Sequence, residues 1–198
     1  METSEKQFTP QESLQLIQEM IKSTKRRMDK ESFLVLLWGY LATAGYLLGY
    51  IWMQFDKFAY IGYSWFILSG SGTIVSLIYL RTKSKKDRVK TYIDDCMKFT
   101  WLGYGITIGV FLIFLIKIQL YTLINPIGLI LIGLPTFITG GVIKYKPLVL
   151  GGIIFWIFGA LAFIITSDLQ YILCAMAIVC GYLIPGYMLK ANYKNETV

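Results

Sequence analysis

Six long stretches without a charged residue constrain this 198-residue chain more than any other feature. They cover residues 32–55, 58–80, 99–116, 118–143, 147–167 and 169–189. The hydrocarbon core of a bilayer is about 30 Å thick, and an α-helix needs about 20 apolar residues to cross it. We therefore predict an all-α, polytopic membrane protein. Its six transmembrane helices are expected at about 33–53, 58–80, 99–120, 127–143, 148–167 and 170–189.

The lysines and arginines indicate how these spans are oriented. If both chain ends are cytoplasmic, all of the 19 basic residues except Lys57 and Lys117 lie on the cytoplasmic side. Such an excess is typical of cytoplasmic loops. The net charge of +7 then reflects topology and attraction to anionic lipid at the cytoplasmic face, and nucleic acid is not an expected partner. The segment between the second and third spans, here called the basic loop, contributes Arg81, Lys83, Lys85, Lys86, Arg88 and Lys90.

The N-terminal segment, residues 1–30, has the pattern of a separate amphipathic helix. Thr9, Pro10 and Glu12 suit an N-cap, a first helical residue and a capping box. One face is apolar, with Leu14, Ile17, Met20, Ile21 and Met28. We expect this helix to lie on the cytoplasmic leaflet and to turn into the bilayer near Asp29–Phe33. Packing on the protein's own loops and docking of a partner are the alternatives. Residues 31–190 would then form the transmembrane domain and 191–198 a cytoplasmic tail.

Short related patterns suggest an internal repeat. LLWGYLATAGYL at 36–47 resembles TWLGYGITIGVFL at 100–112, and IIFWIFGALAFI at 153–164 is a weaker match. The six spans would then form three helical hairpins. Shared composition is the alternative explanation, because apolar helices that contain Trp and Gly resemble one another without common origin.

Small residues predict where helices approach closely. The first and third spans carry Gly45-xxx-Gly49 and Gly105-xxx-Gly109, and further pairs stand at Gly140–Gly141 and Gly151–Gly152. Packing within the chain is the favoured use of these glycines, and association with a second copy remains open. Pro135 and Pro185 are expected to bend the fourth and sixth helices.

Few residues of the sequence suggest a catalytic or metal-binding function. It contains no histidine, no charged residue in the middle of a span and no GxxxxGK[ST] loop. Histidine-based catalysis, ion-coupled pumping through buried charges and P-loop nucleotide hydrolysis are therefore not expected. Asp94–Asp95 is the one acidic pair that suggests a metal, but Lys90 and Lys98 at i,i+4 spacing make a solvated, charge-balanced face the better interpretation. We assign no catalytic, cofactor-binding or metal-binding residue.

Four aromatic residues lie deep in the predicted spans, and each has one polar group. They could line a pocket for a flat or amphipathic ligand, although ordinary bundle packing is the commoner role of such residues. They are Trp65, Tyr104, Trp156 and Tyr182.

Four segments together resemble an uncharacterised family of small six-helix inner-membrane proteins from Bacteroidetes-type bacteria. They are TPQESLQLIQEMI at 9–21, SFLVLLWGYL at 32–41, RVKTYIDDCMKFTWLGYG at 88–105 and IPGYMLK at 184–190. The resemblance covers nearly the whole chain. It implies a bacterial inner membrane and neither an activity nor functional residues.

Two functions fit these observations. The first is a non-enzymatic membrane module whose cytoplasmic face binds a protein partner or anionic lipid. The second is a small-molecule binding or transport component, because six short-looped spans resemble in outline the substrate-capture subunits of energy-coupling-factor vitamin importers. The sequence leaves the oligomeric state open.

Overall fold

A computed structural model describes residues 10–84, 92–165 and 168–195, and within these ranges the chain is helical with no strand. The helices are α1 (Pro10–Gln54), α2 (Phe58–Ser84), α3 (Tyr92–Lys117), α4 (Ile124–Val142), α5 (Lys146–Ile164), α6 (Leu169–Ile178) and α7 (Ile184–Asn195). A single 3₁₀ turn, Tyr121–Leu123, precedes α4. A π-helical segment, Val179–Leu183, joins α6 to α7 without a break.

Six helical segments are long and apolar enough to cross a membrane, which confirms the prediction of a multi-pass membrane protein. They are Lys30–Gln54, Phe58–Thr82, Ile93–Lys117, Tyr121–Val142, Lys146–Ile164 and Leu169–Ala191. For two spans, the predicted C-terminal end lies beyond the end of the helix in the structure. The third span stops at Lys117 rather than at 120, and the fifth stops at Ile164 because Ile165 is already extended (φ −94°, ψ 103°).

Three helices end in the same way, on a left-handed residue that is not glycine. Asp56, Gln119 and Lys144 have φ of 54°, 59° and 56°. In each case the next N–H bonds a carbonyl five residues back, as in Leu120 to Leu115 at 3.0 Å, which is the Schellman arrangement. No glycine of the described chain has positive φ. None of these glycines is therefore needed for a left-handed turn.

The N-terminal segment is continuous with the first span, which corrects one expectation. Pro10 is the first helical residue, as predicted, and α1 then runs unbroken to Gln54. The turn expected near Asp29–Phe33 does not occur. Kinks arise mostly at proline, at glycine or serine pairs, or at π-bulges, and the sequence has neither proline nor glycine between Pro10 and Gly39.

The helices pack in the order α2, α1, α6–α7, α5, α4 and α3. The most extensive contact is between α4 and α5, while α2 packs mainly on α1 and α3 mainly on α4. Sequence neighbours α1–α2, α3–α4 and α5–α6 are all in contact, but the dominant α4–α5 contact connects two of the three expected hairpins. The arrangement as three hairpins and the internal repeat therefore both stay predictions.

Glycines bring α4 and α5 together at backbone distance, as predicted for Gly140 and Gly152. A Cβ added at Gly140 would lie 2.5 Å from the Val149 nitrogen, and one at Gly152 would lie 2.8 Å from the Phe137 nitrogen. Side chains would hold the helices apart, so this contact depends on their absence.

The glycines of α1 are also used within the chain, whereas those of α3 are not. Cβ atoms at Gly45 and Gly49 would lie 3.1 Å from Trp65 and 2.6 Å from Tyr171, respectively. At Gly105 and Gly109 a Cβ would meet nothing within 4 Å. The predicted intramolecular use of Gly105-xxx-Gly109 is therefore wrong, because α3 turns that face away from the bundle.

The helix is irregular just before Pro185. Proline has no N–H to donate to the carbonyl four residues earlier, here Gly181, and its ring disfavours that approach. The chain accommodates this with the π segment, at whose end the Ile184 N–H bonds the Val179 carbonyl. The Gly181 carbonyl oxygen faces α5, and a Cβ at Gly151 would lie only 2.3 Å from it.

Candidate functional site

A groove of about 250 Å³ lies between α3 and α4. It is lined by Phe99, Thr100, Gly103, Tyr104 and Thr107 from α3 and by Leu131, Leu134, Pro135 and Ile138 from α4. The four positions from 100 to 107 follow the i, i+3, i+4, i+7 spacing of one helix face. Three of them are small, and a Cβ at Gly103 would meet nothing within 4 Å. The groove exists because small residues on α3 leave space opposite the proline-containing stretch of α4.

The groove surface is mainly hydrocarbon. Its polar side-chain groups are the hydroxyls of Thr100, Thr107 and Tyr104, and the Thr100 hydroxyl already donates to the Cys96 carbonyl at 2.8 Å. The Tyr104 ring meets Trp101 edge-to-face with centroids 5.9 Å apart. Such a surface suits an apolar chain better than a charged ligand.

One end of the groove is positively charged. A short connection, Ile118–Leu123, joins α3 to α4, so the two helices run in opposite directions and Phe99 lies at the same end as Ile138. The Lys98 ammonium is 5.7 Å from the centroid of the Phe99 ring. Exposed Lys144 and Lys146 follow the last turn of α4 at this same end, whereas Asp94 and Asp95 in the first turn of α3 contribute two negative charges.

Two of the four predicted pocket aromatics serve helix contacts outside the groove. Trp65 of α2 meets Tyr46 of α1 edge-to-face at 5.0 Å. Trp156 of α5 donates from Nε1 to the Ile130 carbonyl at 3.2 Å and lies beside Phe137 with centroids 5.4 Å apart. Trp65 thus holds α2 against α1 through its ring, and Trp156 holds α5 against α4 through its ring and its N–H.

Tyr182 lies at the centre of the bundle, and Tyr104 of α3 is half-buried beside the groove. Tyr182 is 1% exposed, shares a 3.0 Å hydrogen bond with the Thr136 hydroxyl and meets Phe155 edge-to-face at 5.0 Å. Tyr104 is the one member of the predicted set that lines the groove. Tyr104 is also an electrostatic neighbour of Tyr182, so the structure brings these two near each other, while Trp65 and Trp156 make contacts elsewhere.

A buried amide pair, which the sequence analysis did not single out, fixes the other end of the bundle. Gln170 accepts a 2.9 Å hydrogen bond from Asn125 and donates to the carbonyls of Ala162 at 2.8 Å and Thr122 at 3.3 Å. Both amides are nearly inaccessible to solvent. Both side-chain amides form hydrogen bonds with protein groups. We therefore interpret this network as a contact that holds neighbouring helices together and not as a ligand site.

The other predicted surface residues are only partly described. Arg81 is exposed at the end of α2 and Lys83 lies in the same helix, while Lys85, Lys86, Arg88 and Lys90 fall outside the described residues. The five apolar residues of the N-terminal segment lie in α1, although the described structure does not extend to their side chains. Around Asp94–Asp95, as elsewhere in the described ranges, no three His, Cys, Asp or Glu side chains form a group able to hold a metal ion.

The chain was compared with protein-family models, with curated proteins and with solved structures, and none of the three comparisons found a match. The resemblance to the Bacteroidetes-type family stays a prediction.

Proposed function

We propose that this chain is a non-enzymatic interaction module of a bacterial inner membrane whose cytoplasmic end binds anionic lipid. The observation that carries the proposal is the uneven burial of the spans. In the most apolar part of α2 and of α3 only 6% is buried within the chain, against 33% to 50% in the other four spans. Most residues of these two helices thus stay accessible to the surrounding bilayer or to other membrane helices.

Positive charge supports lipid as the occupant of the cytoplasmic end. The basic loop, Lys98, Lys144 and Lys146 all lie there in the proposed topology. Each Lys or Arg near an anionic leaflet contributes about 1 kcal/mol of attraction. An acidic protein is the alternative partner of this end, and the experiment below distinguishes it from lipid.

The test removes two charges from the basic loop. In Lys85→Gln/Lys86→Gln, affinity for phosphatidylglycerol is expected to fall about tenfold or more, since two charges contribute about 2 kcal/mol. Native mass spectrometry of the full chain in mild detergent, titrated with phosphatidylglycerol, measures the bound fraction.

The matched control removes two charges from the other side of the membrane. Lys57→Gln/Lys117→Gln has the same net charge as the loop variant, and its lipid binding is expected to stay close to that of the unchanged chain. If both variants lost the same lipid affinity, net charge alone would explain the loss, and this would contradict the proposal. Unchanged lipid binding in the loop variant, together with loss of a co-purifying acidic protein, would favour the protein partner.

The alternative proposal is a small-molecule binding or transport component, and the observation that favours it is the groove with the Tyr104 hydroxyl. It predicts a small molecule bound one per chain after purification, lost in Tyr104→Ala and retained in Lys85→Gln/Lys86→Gln. Mass spectrometry of the material released on denaturation checks this. Release of phospholipid alone would argue against the alternative.

A further inference from the structure

We propose that the first part of α1, residues 10–29, is a docking site for an acidic amphipathic helix of another protein. The lipid proposal concerns the basic loop, and this inference goes beyond it and does not depend on it. The site is the apolar stripe of the N-terminal segment, formed by Leu14, Ile17, Met20, Ile21 and Met28. The chemistry of the partner follows from the position of this stripe on α1 and from the charges around it.

The apolar stripe lies on the same side of α1 as the residues that α1 contributes to the core of the bundle. Successive residues of a regular α-helix are about 100° apart, so the five stripe positions occupy about 120° of the helix surface. Val35, Trp38, Ala42 and Tyr46 belong to the core or pack against it, and their positions fall within the same sector. Because α1 is unbroken, the stripe continues a side of the helix that is covered further along.

α7, which covers this side of α1, ends well before the stripe does. The two helices run in opposite directions and meet where a Cβ added at Gly186 would lie 3.0 Å from a Leu36 methyl carbon. Beyond that contact α7 continues for nine residues to Asn195, whereas α1 continues for 26 residues to Pro10. About 25 Å of α1 therefore extends past the end of α7. The stripe residues in this part are Leu14, Ile17, Met20 and Ile21.

α2 ends at a similar level. Tyr79 stacks on Phe33 with ring centroids 4.0 Å apart, and α2 continues for only five residues to Ser84. The connection from α2 to α3, residues 85–91, lies outside the described residues, and Val89 is its one apolar residue. Burial of apolar surface is the main driving force of association, so an apolar helix side of this length favours a partner that covers it.

The charges beside the stripe favour an acidic partner. Lys25 and Arg27 occupy positions next to its two edges, whereas Glu12, Glu19 and Asp29 lie further from it around the helix. Charges of opposite sign across an interface guide the encounter and exclude wrong partners. The adjacent end of the bundle exposes more basic than acidic side chains, namely Arg81, Lys98, Lys144, Lys146 and Lys190 against Asp95, with half-buried Asp94 beside them.

A second copy and the lipid leaflet fit this site less well. The bundle lies on the stripe side of α1, so two copies joined stripe to stripe in one membrane would direct both bundles into the same space. Such a pair would also place Lys25 of one copy on the side of Arg27 of the other. To lie on the leaflet, α1 would have to bend before Lys30, and the helix is unbroken there.

The test measures binding of two synthetic peptides to the full chain in nanodiscs of phosphatidylcholine, a lipid without net charge. Both peptides are amphipathic helices with the same leucine face, and they carry either glutamate or lysine beside that face. The glutamate peptide is expected to bind, and the lysine peptide to bind more weakly, because Lys25 and Arg27 attract the first and repel the second. Fluorescence anisotropy of the labelled peptides measures both affinities.

Two double variants on the same helix locate the site. Ile17→Ala/Ile21→Ala keeps a good helix former at both positions and is expected to weaken binding of the glutamate peptide about tenfold or more, as for truncation of buried isoleucines. Gln11→Ala/Gln15→Ala is the matched control, because both positions lie away from the stripe, and its affinity is expected to stay unchanged. Lys25→Gln/Arg27→Gln should reduce the preference for glutamate over lysine.

Four results would overturn the proposal. Two of them concern the peptides, namely equal binding of both peptides to the unchanged chain, or unchanged binding of the glutamate peptide in Ile17→Ala/Ile21→Ala. The other two identify a different occupant in the absence of peptide. Quenching of the added fluorescence of Ile17→Trp by brominated phosphatidylcholine would place the stripe in the leaflet. A dimer of the unchanged chain that dissociates in Ile17→Ala/Ile21→Ala would assign the stripe to a second copy.

Discussion

Replacing Gly151 by alanine is expected to lower the free energy of unfolding by about 3 kcal/mol, the upper range for overpacking a core. The new Cβ would lie 2.3 Å from the Gly181 carbonyl oxygen. Both atoms belong to or adjoin the backbone, so neither can move aside by changing a rotamer. Relief requires α5 to separate from the π segment. Denaturant unfolding in detergent, followed by tryptophan fluorescence, measures the change.

Gly109→Ala provides the matched comparison for Gly151→Ala. Gly109 is also in the interior of a transmembrane helix, but a Cβ there meets nothing within 4 Å. Alanine is the better helix former by about 1 kcal/mol, so this variant should be as stable as the unchanged chain or slightly more stable. Equal stability of the two variants would contradict the close approach of α5 to Gly181.

Replacing Tyr182 by alanine is expected to destabilise the bundle by about 3–5 kcal/mol, as for other large aromatic side chains removed from a core. Tyr182 is among the largest fully buried side chains of the described chain, and its ring packs against that of Phe155. The truncation leaves a cavity at the π segment, while the Thr136 hydroxyl keeps its 2.7 Å hydrogen bond to the Ile132 carbonyl. The same unfolding assay measures it.

Tyr182→Phe separates the ring from the hydroxyl. It retains the contact with Phe155 and removes only the 3.0 Å hydrogen bond to Thr136. Hydrogen bonds between membrane helices contribute about 0.6 kcal/mol on average, so the loss should be small. A loss in Tyr182→Phe as large as that in Tyr182→Ala would mean that the hydroxyl, not ring packing, stabilises this part of the bundle.

The sequence predicts the spans well because the bilayer imposes a simple requirement. A membrane-spanning helix such as Phe58–Thr82 must be apolar along its length, whether it contacts lipid or protein. The length of the uncharged stretch is therefore enough to identify it in the sequence. Contacts between helices leave a weaker signal. Gly45 and Gly105 stand in similar patterns, yet Trp65 covers the first, and no residue in the described part of the chain covers the second. Which glycine faces a neighbour depends on the order of helices around the bundle, and local sequence does not contain that order.

The candidate site was only partly predictable for a related reason. Tyr104 can be singled out in the sequence as an aromatic residue with a hydroxyl deep in a span. The groove itself, however, arises where side chains are too small to fill the space between two helices. The small residues Thr100, Gly103 and Thr107 at helical spacing were the available signal. These small residues form a groove only because Pro135 of α4 lies opposite them, and the sequence alone does not place α4 beside α3.

The unbroken course of α1 has a mechanical consequence. Residues 10–29 lengthen α1 by about 30 Å before the span that begins at Lys30. Because no turn separates the two parts of α1, a displacement of residues 10–29 is expected to be passed on to Gly45 and Gly49, where the rings of Trp65 and Tyr171 lie against the helix backbone.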